Sequence, residues 1–316
     1  MTGFRMGVPT LSRGAADRSE DVRDPDRIAK AWPGARVLVL DDAGRAEWDG
    51  DGLRHVPAVS VADEPPPDGV LLGEVDGVDH WAVRGAVPGD RAGLREIGAL
   101  LSDTDAGLLT TATALLTWHS AAPFCPRCGL QSSPRLTGWS RVCPNEHEEF
   151  PRTDPAVIVL VHDGAGSIVL ARQPIWPPGR VSVLAGFVEA GESLEAAVVR
   201  EIQEEVGVLV CDVEYLGSQP WPFPRSLMVG FAARADRNAD LRPRVGEIES
   251  ARWVDRAAVR ELIAAEDDNW LSPTPNLSRQ ERDNAAPVDA GTAFASVLPG
   301  PVSIARRMIE AWAAAG

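Results

Sequence analysis

An α+β or α/β fold is predicted by three observations. Short β-branched runs alternate with amphipathic helical stretches along the chain, glycine- and aspartate-rich turns separate them, and 316 residues exceed one average domain. Hydrophobic residues make up 44% and charged residues 24%, too apolar for a disordered chain. Acids outnumber bases by 46 to 31, a net charge of −15, which excludes non-specific binding to nucleic acid or anionic membrane through a broad basic face. An RNA end held in a pocket is compatible with that balance. No apolar run reaches the roughly 18 residues of a spanning helix. The N-terminal residues lack a secretory pattern, so no membrane association and a cytoplasmic location are expected.

The N-terminal region, 1–122, reads as a mixed α/β domain. Ala35 to Leu40 is strand-like and ends in the turn 41–44, while 69–75 and 79–84 form a hairpin across Asp76 and Gly77. Leucines and Trp118 recur at helical spacing from Leu94 to His119, predicting one helix there. No chemical motif marks this region.

Residues 123–151 carry a candidate zinc-ribbon module. Cys125-Pro-Arg-Cys128-Gly129 is a CxxC knuckle, and Cys143 follows fifteen residues later. Ribbon spacing calls for a fourth cysteine at position 146, where Glu146 stands; His147, one residue on, is the alternative ligand. Ordinary buried thiols are the competing reading. Cys211 stands alone and is expected in the core.

Residues 152–316 return to alternating strands and helices. Ala156 to Val161, Ser167 to Ala171, 181–185, 215–218, 227–232 and 252–254 read as strands, with helices over 193–206, 256–265 and 303–315. Residues 270–292, rich in Pro, Asn, Ser and Asp, read as a mobile insertion loop.

The chemistry concentrates at 186–208. Ser193 can cap a helix whose apolar face is Leu194, Ala197, Val198, Ile202 and Val206. Glu201, Glu204 and Glu205 then lie at i, i+3 and i+4 and share one patch, where their charges repel. Divalent cations such as Mg²⁺ bind carboxylate oxygens, bridge to phosphates and relieve that repulsion. Arg200 can hold a neighbouring carboxylate, Gly207 can end the helix in a left-handed cap, and Gly186 and Gly191 permit a tight preceding loop. A merely acidic surface helix is the alternative.

Gly186-x5-Glu192-x7-Arg200-Glu201-Ile202-x-Glu204-Glu205-x-Gly207-Val208 resembles the Nudix box at every fixed position. The resemblance implies an α/β/α sandwich that cleaves a nucleoside diphosphate linked to another moiety, with Mg²⁺ or Mn²⁺. Ten residues after the box lies Ser218-Gln-Pro-Trp-Pro-Phe-Pro-Arg-Ser226. Its prolines predict an extended segment holding Trp221 and Phe223 apart for stacking on flat rings. On its own this reads equally as a proline-rich surface loop or an SH3-type ligand. Behind an intact box it resembles the segment that marks the NADH pyrophosphatases of that family.

The fuller resemblance covers about 123–312. It implies hydrolysis of NADH and NAD⁺ to nicotinamide mononucleotide and AMP, extends to removing NAD caps from RNA 5′ ends, and implies a homodimer. It places metal ions on Glu201, Glu204, Glu205 and Glu247 with the Ala185 carbonyl, with those four glutamates as the catalytic set. The missing fourth cysteine is a departure from that family's pattern, and structural zinc on Cys125, Cys128, Cys143 and His147 follows from the spacing read above. Substrate contacts fall to Phe150, Phe187, Gln219, Pro220, Trp221, Pro222, Phe223, Pro224, Arg225, Ser226 and Ala305, supported by Gly186, Glu192, Arg200 and Gly207. Other preferred diphosphates, such as ADP-ribose or diadenosine polyphosphate, and a silent nucleotide sensor remain competing functions.

Overall fold

Residues 3–265, 294 and 297–315 are described in the computed structural model of the chain. The loop expected over 270–292 lies outside the described residues. Two compact units are present: residues 10–153 with 220–226, and residues 1–9, 154–219 and 227–316. Among the described residues no helix is long and apolar enough to cross a membrane.

The first of these units opens with helix α1 (Pro25–Ala31), where Asp24 accepts a hydrogen bond from the Arg27 N–H and Pro25 fills the first turn. Strands β1 (Arg36–Leu40), β2 (Arg45–Glu47), β3 (His55–Pro57), β4 (Val70–Val75), β5 (Val78–Arg84) and β6 (Arg91–Gly93) build one sheet in the order β4-β5-β1-β2-β6, with β3 also on β1. The β4–β5 hairpin turns at Asp76 and Gly77, both at positive φ, as the Asp-Gly pair predicts. Trp32 and Trp81 meet edge to face at 5.4 Å in the core beneath this sheet, with Ile28, Val37 and Leu71.

One helix was predicted over 94–119; the chain forms two, α2 (Leu94–Ile97) and α3 (Asp103–Ala121). The Gly98 N–H closes α2 on the Leu94 carbonyl, and the Ser102 hydroxyl caps α3 by accepting from the Asp105 N–H. A stop and a fresh start within five residues are invisible to leucine periodicity alone. Strands β7 (Ser133–Pro134), β8 (Arg141–Val142) and β9 (Glu148–Glu149) then make a small sheet around the cysteine knuckle.

The other unit is an α/β/α sandwich. Strands β10 (Asp154–His162), β11 (Ser167–Arg172), β12 (Leu184–Phe187), β13 (Val210–Trp221), β14 (Ser226–Ala235) and β15 (Ser250–Asp255) pair in the order β13-β14-β10-β11-β15, with β12 on β10. Helix α4 (Leu194–Val206) covers one face, and α5 (Arg256–Ala264) and α6 (Ile304–Ala314) cover the other. Strand β10 is buried on both sides. Val157, Val159 and Val161 point to the α4 core and Ile158 and Leu160 to the opposite core, the period-two alternation of a central strand.

Two local expectations are corrected here. The strand expected at 181–185 is displaced to 184–187, because Ser182 makes only an isolated bridge with Ala171. Cys211 is exposed rather than in the core, since β13 is the sheet's outer strand and its side chains alternate to solvent.

Gly107 sits inside α3, where glycine costs a helix about 1 kcal/mol. A Cβ there would fall 2.4 Å from the Gly14 Cα, so two backbones touch. Gly107→Ala is therefore expected to lower unfolding free energy by about 1–3 kcal/mol despite better helix propensity, as measured by denaturant titration.

Candidate active site

Helix α4 starts where Ser193 accepts a hydrogen bond from the Ala196 N–H and stops at Gly207, at φ 75°. Between these caps its apolar residues Ala197, Val198, Ile202 and Val206 pack fully on the sheet. That rotation carries Glu201 and Glu205 inward, 9% and 2% exposed, and leaves Glu204 outside. The predicted patch is thus divided: two acids are buried beside β12 and one faces water.

The chain around Gly186 explains how a carboxylate fits there. A Cβ on Gly186 would lie 2.0 Å from the Glu201 carboxyl carbon, so only glycine lets this acid rest against the backbone. Glu205 meets the Ala185 backbone amide, while its Oε2 is buried without a hydrogen-bond partner. Burial, reinforced by the Glu201 and Glu247 charges, pushes the Glu205 carboxyl up to about 8. Burial also raises Glu201, although Arg200 opposes the shift.

Arg200 is the brace of the site. Its Nε and Nη2 donate to the two oxygens of Glu192, both at 2.8 Å. Nη1 donates to Glu201 at 2.9 Å, and Nη2 also donates to the Phe187 carbonyl at 2.9 Å. The guanidinium holds Glu192 down at about 2. Loop, helix and acid are thereby locked at one point.

Sequence reasoning missed Arg244. It donates to Glu204 at 3.0 Å and stands 3.5 Å from Glu247, joining the two exposed acids. The Arg242 and Arg244 N–H groups donate to the Val206 and Glu205 carbonyls, which ties this turn to the end of α4. The Arg-x-x-Glu spacing of 244 and 247 was the available signal, but it carries meaning only once the turn is placed beside α4.

An all-oxygen set with one orphaned buried oxygen, and a glycine cradle that a Cβ would fill, fits a hard divalent cation. Glu201, Glu205, Glu247 and Glu204, with the Ala185 backbone, are the residues able to hold it. In the other unit, Cys125, Cys128, Cys143 and His147 place their ligand atoms within 4.8 Å of one another. The Cys128–Cys143 sulfurs are 3.7 Å apart, and Cys125 Sγ is 3.6 Å from His147 Nδ1. Tetrahedral zinc with bonds of about 2.3 Å to sulfur requires edges of about 3.8 Å, so these residues suit zinc.

The expected substrate residues fall in different settings. Phe187 and Phe150 are 59% and 64% exposed, with rings open to a ligand. Gln219 is fully buried and donates to the Val302 carbonyl, and Ala305 lies in the core at the start of α6. Residues 222–225 form a turn rather than the extended segment expected, because the chain reverses between β13 and β14 and proline cannot continue a ladder. Trp221 and Phe223 are not held apart. Their rings touch at 5.0 Å, nearly perpendicular, and the Arg95 guanidinium covers Phe223 at 4.1 Å. Pro220 and Pro222 are at least partly covered, Ser226 is buried, and Pro224 and Arg225 are exposed.

The raised Glu205 group sets a pH dependence. The metal-free folded chain keeps this proton that the unfolded chain releases above about 4.5, so stability is full below that value and falls as pH rises toward 8. Melting temperature without divalent metal should drop by at least a few degrees, order of magnitude, across this window, and saturating Mg²⁺ should flatten the decline. A pH-independent melt in chelator would contradict the placement of Glu205.

Comparison with known proteins places this geometry. The NUDIX domain profile matches residues 152–272. The protein named NAD-capped RNA hydrolase NudC from Mycobacterium bovis (strain BCG / Pasteur 1173P2) is 46% identical, over 97% of this chain and 95% of that protein. The protein of the same name from Mycobacterium tuberculosis (strain H37Rv) matches equally, at 46% over 97% and 95%. NAD-capped RNA hydrolase NUDT12 of Homo sapiens is 39% identical over 52% of this chain and 37% of its own length. With its box complete and a likeness running from end to end, this chain belongs to the Nudix family, in the group formed by the NudC proteins.

Proposed function

We propose that this protein hydrolyses the diphosphate of NADH and NAD⁺, releasing nicotinamide mononucleotide and AMP, and removes NAD caps from RNA 5′ ends. The observation that carries the reading is a complete carboxylate set in a chain 46% identical to NudC proteins over 97% of its length. The same completeness argues against a silent sensor. Bound Mg²⁺ or Mn²⁺ would neutralise the diphosphate and make a water easier to ionise.

The chain's own residues supply position and proton handling. Glu201 and Glu205 hold fixed oxygens because α4 is packed and capped. Arg200 keeps Glu201 from turning away. Glu204, Glu205 and Glu247 are the candidates to accept a proton from the attacking water, and the first and last of them are exposed and meet Arg244. Water adds to one phosphorus, the bridging P–O bond breaks, and the leaving phosphate carries the electron pair away. The exposed ring of Phe187 and the Trp221–Phe223 pair suit a flat base or nicotinamide.

The remaining parts of the reading have their own support. The three-part division at 1–122, 123–151 and 152–316 is supported by three separate sheets, β1–β6, β7–β9 and β10–β15, each within one span. Zinc on Cys125, Cys128, Cys143 and His147 is supported by the spacing of the ligand atoms. The homodimer rests on the resemblance.

Chromatography after incubation with NADH and Mg²⁺ should show reduced nicotinamide mononucleotide and AMP, and chelator should abolish both. Glu204→Gln should cut kcat by about a hundredfold or more with an unchanged circular dichroism spectrum; undiminished turnover would remove the acid set from the mechanism. Elemental analysis should find about one zinc per chain, and Cys143→Ser should lose it. Retention of full zinc by that variant would show the metal bound elsewhere.

A further inference from the structure

Of the acids at the site, Glu201, Glu204 and Glu205 stand on α4, and the capped helix fixes where they start. Glu247 comes from elsewhere, on the turn 244–249 that leads into β15. Its charge acts on both Glu201 and Glu205, so its carboxylate stands near theirs. This turn lies outside any helix or strand, and a hard dication such as Mg²⁺ tolerates little error in the placing of its oxygens. Glu247 can serve beside the helical acids only if its turn is held at both ends.

The upstream anchor is α4. The Arg242 and Arg244 N–H groups donate to the Val206 and Glu205 carbonyls at 2.7 and 2.9 Å. Inside the turn, the Glu247 and Ile248 N–H groups donate to the Arg244 carbonyl at 3.2 and 3.0 Å, and the Ile248 side chain is buried in the α4 core. The downstream anchor is Arg172, at the end of β11. Its carbonyl accepts from the Glu249 N–H at 2.8 Å, and its Nε stands 2.6 Å from the Glu249 carboxylate. Backbone and side chain of one residue thus hold the chain two places beyond Glu247.

Arg172 is itself held. It is 5% exposed, and its Nη1 and Nη2 donate to the Pro177 and Trp176 carbonyls, the latter at 2.6 Å. Those carbonyls belong to a loop closed on itself, where the Trp176 N–H donates to Gln173 and the Arg180 N–H to Pro177. A planar guanidinium reaches one carboxylate and two consecutive carbonyls at once, which the point charge of a lysine cannot do. All three nitrogens are committed to protein oxygens, so the group that grips Glu249 has little freedom to swing. Sequence spacing gives no hint of the pair: it forms because β11 and β15 pair with Arg172 opposite Ser250.

We propose that Arg172 is a positioning residue for the metal-binding acid Glu247, acting through Glu249. The ion pair fixes where the turn ends, and hence how the Glu247 carboxylate stands relative to Glu201 and Glu205. The proposal rests on the reading of these acids as metal ligands and adds a residue outside the box to it.

The test uses the full-length protein, well below its melting temperature. Manganese binding without substrate, read by electron paramagnetic resonance of the free ion, should weaken about tenfold or more in Arg172→Gln, the size typical of a partner behind a metal ligand. On NADH with saturating manganese, kcat should fall about tenfold while KM stays within about twofold. Hydrogen exchange at the Glu247, Ile248 and Glu249 amides should quicken about tenfold, with exchange along α4 unchanged. Glu249→Ala removes the other half of the ion pair, guards against misfolding of the first variant, and should give the same pattern. The double variant should lose no more than either single one, within about twofold. Wild-type manganese affinity in the variants would make the pair purely structural and overturn the proposal. Loosening that spreads along α4, or additive losses in the double variant, would overturn it as well. Failure of the wild type to hydrolyse NADH would sink the catalytic reading alone, because manganese binding and exchange decide the role of Arg172 without turnover.

Discussion

Two like-charged carboxylates buried side by side on one helix turn are the constraint around which the catalytic unit is built. Glu201 and Glu205 sit at i and i+4 on one face of the helix, and packing has taken most of their water away. No apolar side chain would choose this arrangement for stability. It persists because α4 is held from both ends and along one whole face, so helix rotation cannot carry the acids out. The Ser193 cap, the Gly207 stop and the Ala197–Val198–Ile202–Val206 face over β10 jointly remove that freedom. The unpaired Oε2 of Glu205 is what remains when geometry is imposed on a group that burial disfavours.

Two arginines manage the acids in different ways. Arg200 is tied to Glu192, Glu201 and the Phe187 carbonyl at once, so it behaves as part of the scaffold. Arg244 is half exposed and bonds only outward-facing acids, one through a longer contact. The first fixes where a carboxylate points, while the second sets positive charge between two acids at the surface. A guanidinium in the Arg200 position could be exchanged for lysine only by losing the bidentate hold on Glu192.

The fold was legible where local chemistry and long-range packing agree. Ser193 and Gly207 bracket α4 as their residue types demand, and Asp76-Gly77 makes the hairpin turn it spells. Legibility ended where partners come from elsewhere in the chain. Leucine spacing could not reveal the stop at Gly98, which depends on the Ser102 cap. Prolines at 222 and 224 suggested a rod, but proline is equally at home in a turn, and only the pairing of β13 with β14 decides between them. The division of the glutamates into buried and exposed members follows from which face of α4 meets the sheet. The Gly186 cradle was visible only as loop flexibility, although its real role is to make room for an acid.

The N-terminal region carried no motif, yet the structure gives it a physical task. Trp221 and Phe223 belong to the same compact unit as residues 10–153, and the cation that covers Phe223 comes from Arg95 at the start of that unit's second helix. An exposed aromatic turn on its own would sample many ring orientations, because proline restrains backbone and not side-chain torsions. A planar cation stacked on one ring restricts the pair to fewer orientations. Arginine appears again over Trp139, where the Arg23 guanidinium lies 4.4 Å from the ring centre. In a strongly acidic protein, stacking on aromatic faces gives guanidinium groups an ordered place that does not depend on a direct carboxylate bond.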